Sequence, residues 1–435
     1  MKKYVIIPGC SDLNRGDQAL VWETKRLAEE NGFSGKFYLT AEENEPVEQS
    51  KKQGIHIIKP IMEHPSRVFK NKSNIHYNMS LKLKWGFVSI FDFLGSLFYL
   101  SKPTRAIAKV FMSREKKKAL KVMEAADAVF VKGGGLFQTY GGLSSTYSMY
   151  FWCFHIFLAK ALKKPIYIMP NSFGPFEGPL VKKIAKKAFD CCTFVTARES
   201  YSADMVKRDL GIDLPVYPDL AFGLQESALD RTQIMEKYNL PSDRPLVAMT
   251  MRPYRFPKSE NPQKAYITFK KEMAKYIKWL YASGYMPVIV EHTLAVNAHE
   301  NDGECIREVT QMLNEEEYRF VSNKTYNCYD LKAIYKMCDY IVGTRFHSVI
   351  FSLSSGVPGM AICYVGNKAQ GIMHDIGLDD YAISIYDVNA ELLKKKFEQL
   401  VANRDEVVHK ITSYNNEVGI QHGSLMKQCS DLQNK

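Results

Sequence analysis

None of the nine cysteines stands in a C-x-x-C pair, and their positions (10, 153, 191, 192, 305, 328, 338, 363 and 429) follow no pattern. That argues against a zinc ribbon or a thioredoxin-like motif, and an odd, scattered set reads as reduced thiols of a cytoplasmic protein. The chain also lacks a run of about 20 apolar residues, the length a membrane-crossing helix needs. Its longest such stretch, Trp85 to Leu100, is sixteen residues with Asp92 inside. The opening run Tyr4-Val5-Ile6-Ile7 is too short for a signal peptide and reads as a first buried strand. There is no repeat, no low-complexity tract, no G-x-G-x-x-G fingerprint and no Walker loop, and no cluster of metal-ligand residues is visible. No cofactor is therefore expected.

What is present is a globular composition, 46% hydrophobic and 24% charged, over 435 residues. That length predicts two domains of roughly 200 residues each. The net charge of +11 is unevenly spread. Between His64 and Lys121 thirteen Lys and Arg face only Asp92 and Glu115, so this segment alone carries the whole excess. Basic flanks around an aromatic run fit a helix lying on an anionic membrane surface. The plainer reading, and the one preferred, is an insertion whose apolar face packs on its own domain. No nucleic-acid-binding motif accompanies the charge, so nucleic acid is not an expected partner.

Short apolar runs alternate with helical patterns throughout. Strands are predicted at Tyr4–Pro8, Lys36–Thr40, His56–Lys59, Ala128–Val131, Ile166–Met169 and Phe194–Thr196. Helices are predicted over Asp17–Asn31, with Asp17 as N-cap, and over Ser145–Leu162, Pro179–Phe189 and Ser200–Leu210. The proline-bracketed segment from Asn239 to Pro245 then reads as a boundary, and the pattern restarts with a strand at Leu246–Met251. The second half predicts helices at Lys271–Ala282, Glu304–Leu313 and Leu331–Met337, and strands at Pro287–Val290, Tyr318–Val321, Tyr340–Val342 and Gly359–Tyr364. The expected division is a Rossmann-like domain over 1–240, a second over 246–400 and a helical tail over 401–435, with parallel α/β sheets covered on both faces.

In open parallel sheets ligands bind beyond the carboxyl ends of the strands. Five loops fall there: Asn14-Arg15-Gly16-Asp17, Lys132-Gly133-Gly134-Gly135, Asn171-Ser172-Phe173-Gly174-Pro175, Pro218-Asp219-Leu220-Ala221 and Gly343-Thr344-Arg345-Phe346-His347. The first also reads as a plain turn and helix cap. The three glycines also read as close backbone packing, although they leave the backbone open to a ligand. Arg198 ends a strand and opens a helix, facing either the cleft or an interior carboxylate. The last loop is the most informative: a strand, a tight turn, a cation and an imidazole opening a helix build an anion site. Arg345 offers a planar fork for carboxylate or phosphate, and His347 can move a proton near neutral pH.

In this order the motifs resemble the polysaccharide pyruvyl transferase family: Asn14…Gly16-Asp17, Gly133-Gly134-Gly135, Ser172-Phe173-Gly174-Pro175, Ala197-Arg198-Glu199 with Ser202, Pro218-Asp219-Leu220-Ala221-Phe222, and Arg345-Phe346-His347-Ser348 followed by Gly356-Val357-Pro358, Tyr364 and Lys368. The resemblance implies two Rossmann-like domains facing across a cleft, as in GT-B glycosyltransferases. It implies transfer of pyruvate from phosphoenolpyruvate to a sugar or lipid-linked glycan, forming a ketal. His347 and Arg345 become the catalytic pair, with Arg198, Thr344, Ser348 and Lys368 on the donor side. Asn14, Gly16, Asp17, Gly133, Gly134, Gly135 and Asp219 fall on the acceptor side, with Asp17 or Asp219 as base. The insertion at 64–121 and Leu220, where the family pattern expects proline, depart from the family. Two other readings stand beside this one: a GT-B glycosyltransferase using a nucleotide sugar, and a non-catalytic subunit of a membrane-surface glycan assembly.

Overall fold

The computed structural model describes the chain except for residues 42–44, 66–68, 70–78, 143, 295–299, 365, 367 and 435 and the side chain of Lys82. Part of the basic insertion therefore lies outside the described residues. The first sheet joins β1 (Lys2–Ile7), β2 (Gly35–Thr40), β3 (Ile55–Ile58), β4 (Ala128–Val131), β5 (Gly134–Tyr140), β6 (Ile166–Glu177) and β7 (Phe194–Ala197). Its order is β3-β2-β1-β4-β6-β5, with β7 also on β6, and every pairing is parallel. In β1, Tyr4 and Ile6 enter one core and Val5 and Ile7 the other. Both faces are covered, which is why the strand reads as a continuous apolar run.

The second sheet joins β8 (Leu246–Thr250), β9 (Met286–Val290), β10 (Arg319–Val321), β11 (Tyr340–Gly343), β12 (Gly359–Cys363) and β13 (Ala382–Ser384). Its order, β10-β9-β8-β11-β12-β13, is again all parallel. This is the doubly wound order whose switch point lies between the first and fourth strands. In the first sheet that point falls between β1 and β4, and in the second between β8 and β11. The Asn14, Lys132, Arg252 and Arg345 segments follow those four strands.

Several boundaries differ from expectation. The first helix runs Arg15–Glu30, and its N-cap is Asn14, whose side chain accepts from the N–H groups of Gly16 and Asp17. Asp17 thus lies inside the first turn, where a carboxylate meets the positive helix end. Gly134 and Gly135 open β5 rather than forming a turn, and β5 continues the register that β4 sets against β6 (Val131↔Ile168, then Gly134↔Asn171). β6 is correspondingly long and absorbs Asn171–Pro175. The helix placed at Lys271 starts at Pro262, capped by Asn261, a cap-and-proline signal legible in the sequence.

The tail forms helices Ala390–Ala402 and Arg404–Gln433. The second reaches the first sheet, where Tyr167 Oη donates to Gln433 Oε1 at 3.0 Å and Gln433 Nε2 donates to the Asp127 carbonyl at 3.1 Å. In the insertion, helix Arg114–Glu124 buries Ala119, Leu120 and Met123 in the first domain's core, as expected of an insertion packed on its own domain. Helix Met79–Leu97 rests on helix Ser144–Ala161 through Phe93 against Tyr150, with ring centres 4.7 Å apart, and a 2.7 Å Ser96–Tyr150 hydroxyl bond. Much of its remaining apolar surface is exposed. Among the described residues no helix is long and apolar enough to cross a membrane.

Candidate active site

The two sheets present their switch points to each other. Arg15 crosses between them, its Nε donating to Asn323 Oδ1 at 2.8 Å and Nη2 to the Asn323 carbonyl at 3.1 Å. Leu294 N–H donates to the Leu13 carbonyl at 2.9 Å, and Cys328 N–H to Gln18 Oε1 at 2.9 Å. These bonds hold the Asn14 loop directly against the second domain.

Gly343 ends β11 where a side chain would meet Ser348 Oγ and Val349 Cγ2, each 2.8 Å from a Cβ placed there. The chain turns at that point and Arg345 becomes the N-cap of helix Phe346–Leu353. Thr344 and Ser348 are fully buried and spend their hydroxyls inside the turn: Thr344 donates to the Thr250 carbonyl at 3.1 Å, and Ser348 to the Arg345 carbonyl at 2.6 Å. They were expected to bind the donor, but in this geometry they hold the turn that aims their neighbours.

His347 projects from the first turn of that helix into the first domain. A Cβ on Gly16 would lie 2.1 Å from His347 Nδ1, so only glycine lets the two domains meet here. His347 Nε2 lies 4.0 Å from Asp219 Oδ2 and has no hydrogen-bond partner among the described residues. Burial, then Lys368, Arg198, His292 and Lys132, hold its pKa well below that of an ordinary imidazole.

Arg198 faces the same carboxylate. Its Nη1 donates to Asp219 Oδ2 at 2.5 Å and its Nε to Ser172 Oγ at 2.7 Å, while Ser172 donates to Glu199 Oε2 at 2.8 Å. The second terminal nitrogen, Nη2, is buried and has no hydrogen-bond partner among the described residues. It lies 3.6 Å from where a Cβ on Gly135 would be, so the glycine keeps the space beside it free of a side chain. Glu199 is pushed up to about 7 by burial, against the pull of Arg198 and two serine hydroxyls. Lys368 makes no ion pair within 4.0 Å among the described residues, and burial followed by Arg198 lowers its pKa.

Arg345 is placed differently from what its sequence position suggests. Its Nε donates to Asp302 Oδ1 at 2.8 Å, Nη1 to Glu300 Oε2 at 2.7 Å and Nη2 to the Glu300 carbonyl at 2.7 Å. Asp302 is fully buried and its carboxyl is raised by that burial. Glu300 is partly exposed and also takes Arg252 Nη2 at 2.9 Å. Arg252 lies over the Tyr364 ring, 4.5 Å from its centre. Burial would raise the Tyr364 phenol, but Arg252, Lys368 and Arg345 outweigh it and hold the pKa below its ordinary value. Sequence reasoning missed Arg252, Glu300 and Asp302. Only Arg252 had a signal, since it follows a buried strand directly.

On the first-domain side, Lys132 is buried and ion-paired to Asp17. Beside them a cavity of ≈160 Å³ is lined by Ser11, Asn14, Asp17, Lys132, Leu136 and Trp152. An indole among hydroxyl-binding groups suits a polyol. Among the described residues no group of three or more His, Cys, Asp or Glu side chains converges to hold a metal.

The sequence profile of the polysaccharide pyruvyl transferase family matches residues 14–364, from the Asn14 loop to Tyr364. The chain belongs to this family. As a pyruvyl transferase family member it is a transferase, and the cleft just described lies almost wholly inside the matched span, with Lys368 just beyond it. The amylovoran biosynthesis protein AmsJ of Erwinia amylovora is 25% identical over 292 residues, covering 66% of this chain and 68% of that one. In fold the pyruvyl transferase resembles the UDP-GlcNAc 2-epimerase of Neisseria meningitidis, with a TM-score of 0.57 and 10% identity over 99% of both chains. A glycosyltransferase of Rickettsia africae gives 0.54 and 13% identity over 99% of this chain and 96% of that one. At those identities the likeness is one of fold: two parallel-sheet domains in the GT-B arrangement.

Proposed function

We propose that this enzyme moves pyruvate from phosphoenolpyruvate to a sugar of a cell-surface or exopolysaccharide precursor and closes it as a cyclic ketal. The observation that carries this reading is a pair of buried, unpartnered nitrogens, Arg198 Nη2 and His347 Nε2, on side chains that share one oxygen of Asp219: Arg198 binds Oδ2 through its other terminal nitrogen, and His347 Nε2 lies 4.0 Å from it. Lys368 and the Gly133–Gly135 backbone stand beside them. A small, multiply charged donor needs such a site, and the chemistry needs an acid within it. His347 protonates the methylene carbon, which builds positive character on the adjacent carbon. A sugar hydroxyl attacks there and loses its proton to a base. The C–O bond to phosphate then breaks with its electron pair on oxygen, the departing phosphate takes up the proton held by the base, and a second hydroxyl closes the ring as its proton returns to His347. Asp17, facing the polyol-sized cavity, is the better placed base, because Asp219 is fully buried against Arg198. AmsJ, named for amylovoran biosynthesis, supports a polysaccharide acceptor. The basic insertion and the exposed apolar stripe of helix Met79–Leu97 support work at an anionic membrane surface, where lipid-linked glycans lie.

The test is transfer itself. With phosphoenolpyruvate and a diol-bearing sugar, phosphate release should match a product heavier by one pyruvate less one water. Phosphoenolpyruvate should also raise the melting temperature. Stabilisation by a nucleotide sugar but not by phosphoenolpyruvate would instead favour a glycosyltransferase.

Glu300 gives a second expectation. Its carboxylate sits between Arg252 and Arg345 as a donor's carboxylate or phosphate would. Glu300→Gln removes an internal competitor while Asp302 still holds Arg345. The donor KM should fall about five- to tenfold, which corresponds to about 1–1.4 kcal/mol. An unchanged or higher KM in a folded variant would show that Glu300 does not compete for the donor site.

A further inference from the structure

A larger concavity lies outside the cleft. It is a groove of ≈1490 Å³ between helix Met79–Leu97 and helices Ser144–Ala161 and Val181–Asp190. Pockets that enclose ordinary small ligands run to about 300–1,000 Å³. One wall is Trp85, Ile90, Phe93, Leu94 and Leu97, and Tyr147, Tyr150, Phe157, Leu180 and Ile184 line the rest. Three lysines also line it: Lys160, Lys183 and Lys187. None of them makes an ion pair within 4.0 Å among the described residues, and Lys183 and Lys187 lie one turn apart on the same helix face.

Helix Met79–Leu97 has two apolar stripes. Gly86, Ile90, Phe93 and Leu97 turn to the groove. Leu83, Phe87 and Phe91 lie outside it and are 68%, 65% and 60% exposed. A helix apolar nearly all round is found where both sides are covered by something apolar. The groove also leads somewhere. Ser144, in its lining, follows β5 by a few residues, and Tyr140 at the end of β5 approaches the second domain, its hydroxyl 3.3 Å from where a Cβ on Gly366 would be.

We propose that this groove holds the hydrocarbon chain of a lipid phosphate, with Lys160, Lys183 and Lys187 taking the headgroup. An apolar trough edged by unpaired cations matches an anionic amphiphile, and the outer stripe of the helix lies in the bilayer from which the chain enters. A glycan carried on that phosphate then reaches past the end of β5 to the cleft, a step that rests on the function proposed above.

The full-length protein is titrated with decyl phosphate below its micelle concentration, with decanol and with inorganic phosphate. Binding is read by calorimetry and by tryptophan emission, with Trp85→Phe assigning the signal to the groove. Decyl phosphate should bind and shift Trp85 emission, inorganic phosphate should leave it unchanged, and decanol should bind about tenfold more weakly. Ile90→Glu with Leu94→Glu, at positions 58% and 51% exposed, should weaken decyl phosphate about tenfold or more without unfolding the protein. Lys183→Glu with Lys187→Glu should weaken decyl phosphate and spare decanol. Phe87→Glu with Phe91→Glu should abolish sedimentation with anionic vesicles while keeping decyl phosphate binding. Equal decyl phosphate affinity in the native and groove-variant proteins would overturn the proposal. So would a dimer that the Ile90→Glu/Leu94→Glu variant dissolves in a protein that binds no decyl phosphate, since that outcome assigns the groove to a second copy. Pyruvyl transfer to a sugar without a lipid chain should be unchanged in the groove variants. Its absence from the native protein would count against the functional reading alone, because decyl phosphate binding is judged without it.

Discussion

His347→Asn is expected to lower kcat by ~10²–10⁴-fold, the range typical of a lost general acid, while the donor's affinity changes little. The imidazole is buried at the first turn of its helix, with Nε2 unpartnered and 4.0 Å from Asp219 Oδ2. Asparagine keeps a polar group of similar reach but delivers no proton. An interaction made only in the transition state shows in turnover and not in ground-state binding. Full turnover in the variant would remove His347 from the acid's role.

The pH dependence follows from the same surroundings. In the free protein, burial and then Lys368, Arg198, His292 and Lys132 keep His347 well below the ordinary imidazole value. It is therefore neutral at neutral pH, and kcat/KM, which reports the free enzyme, should fall as pH rises from the acid side through neutrality. The donor brings carboxylate and phosphate charge beside the ring, which favours the protonated form. The break in kcat, which reports the bound enzyme, should therefore lie at higher pH than the break in kcat/KM. In His347→Asn both limbs should flatten. Coincident breaks, or a limb that survives in the variant, would place the titrating group elsewhere.

How much of this was legible in the sequence depended on range. The strand, turn and helix around Arg345 are local, and the apolar run Tyr340-Ile341-Val342 followed by glycine displays them. The parallel sheets follow from buried runs alternating with helical patterns. Gly16 was legible as part of a loop, but its reason, contact with His347 across the cleft, depends on a domain arrangement that no local pattern encodes. Arg345 shows the same limit. Its fork reads as an anion binder in sequence, yet Glu300 and Asp302 come from a distant segment and take its nitrogens. Arg198, by contrast, read ambiguously and proves to carry a buried, unpartnered nitrogen. A helix in the insertion was legible from its aromatic run, but which of its sides faces the protein was not, because an apolar stretch such as Trp85–Leu100 carries no periodicity to show it.

Asp219→Ala is expected to cost about 3–5 kcal/mol of stability, since it leaves a buried guanidinium without its closest carboxylate. Both side chains are fully buried, joined at 2.5 Å. Glu199 lies 3.6 Å from Arg198 and is pushed up to about 7, so it is too readily neutralised to replace the lost charge. Asp219 Oδ1 also accepts the Ala221 N–H at 2.9 Å, so alanine removes a cap as well. Asp219→Asn keeps the shape and the cap and should cost less. Pairing Asp219→Leu with Arg198→Leu removes both charges and should recover much of the stability, because a buried ion pair is often no better than a packed apolar pair. Activity should not recover with it, since the donor loses Arg198 Nη2 and His347 loses the carboxylate that favours its protonated form. In Asp219→Asn the break in kcat should move to lower pH, a shift that a purely structural Asp219 would not produce. Unchanged melting of Asp219→Ala would mean the pair carries little stability, and full activity in the double variant would remove both residues from the site.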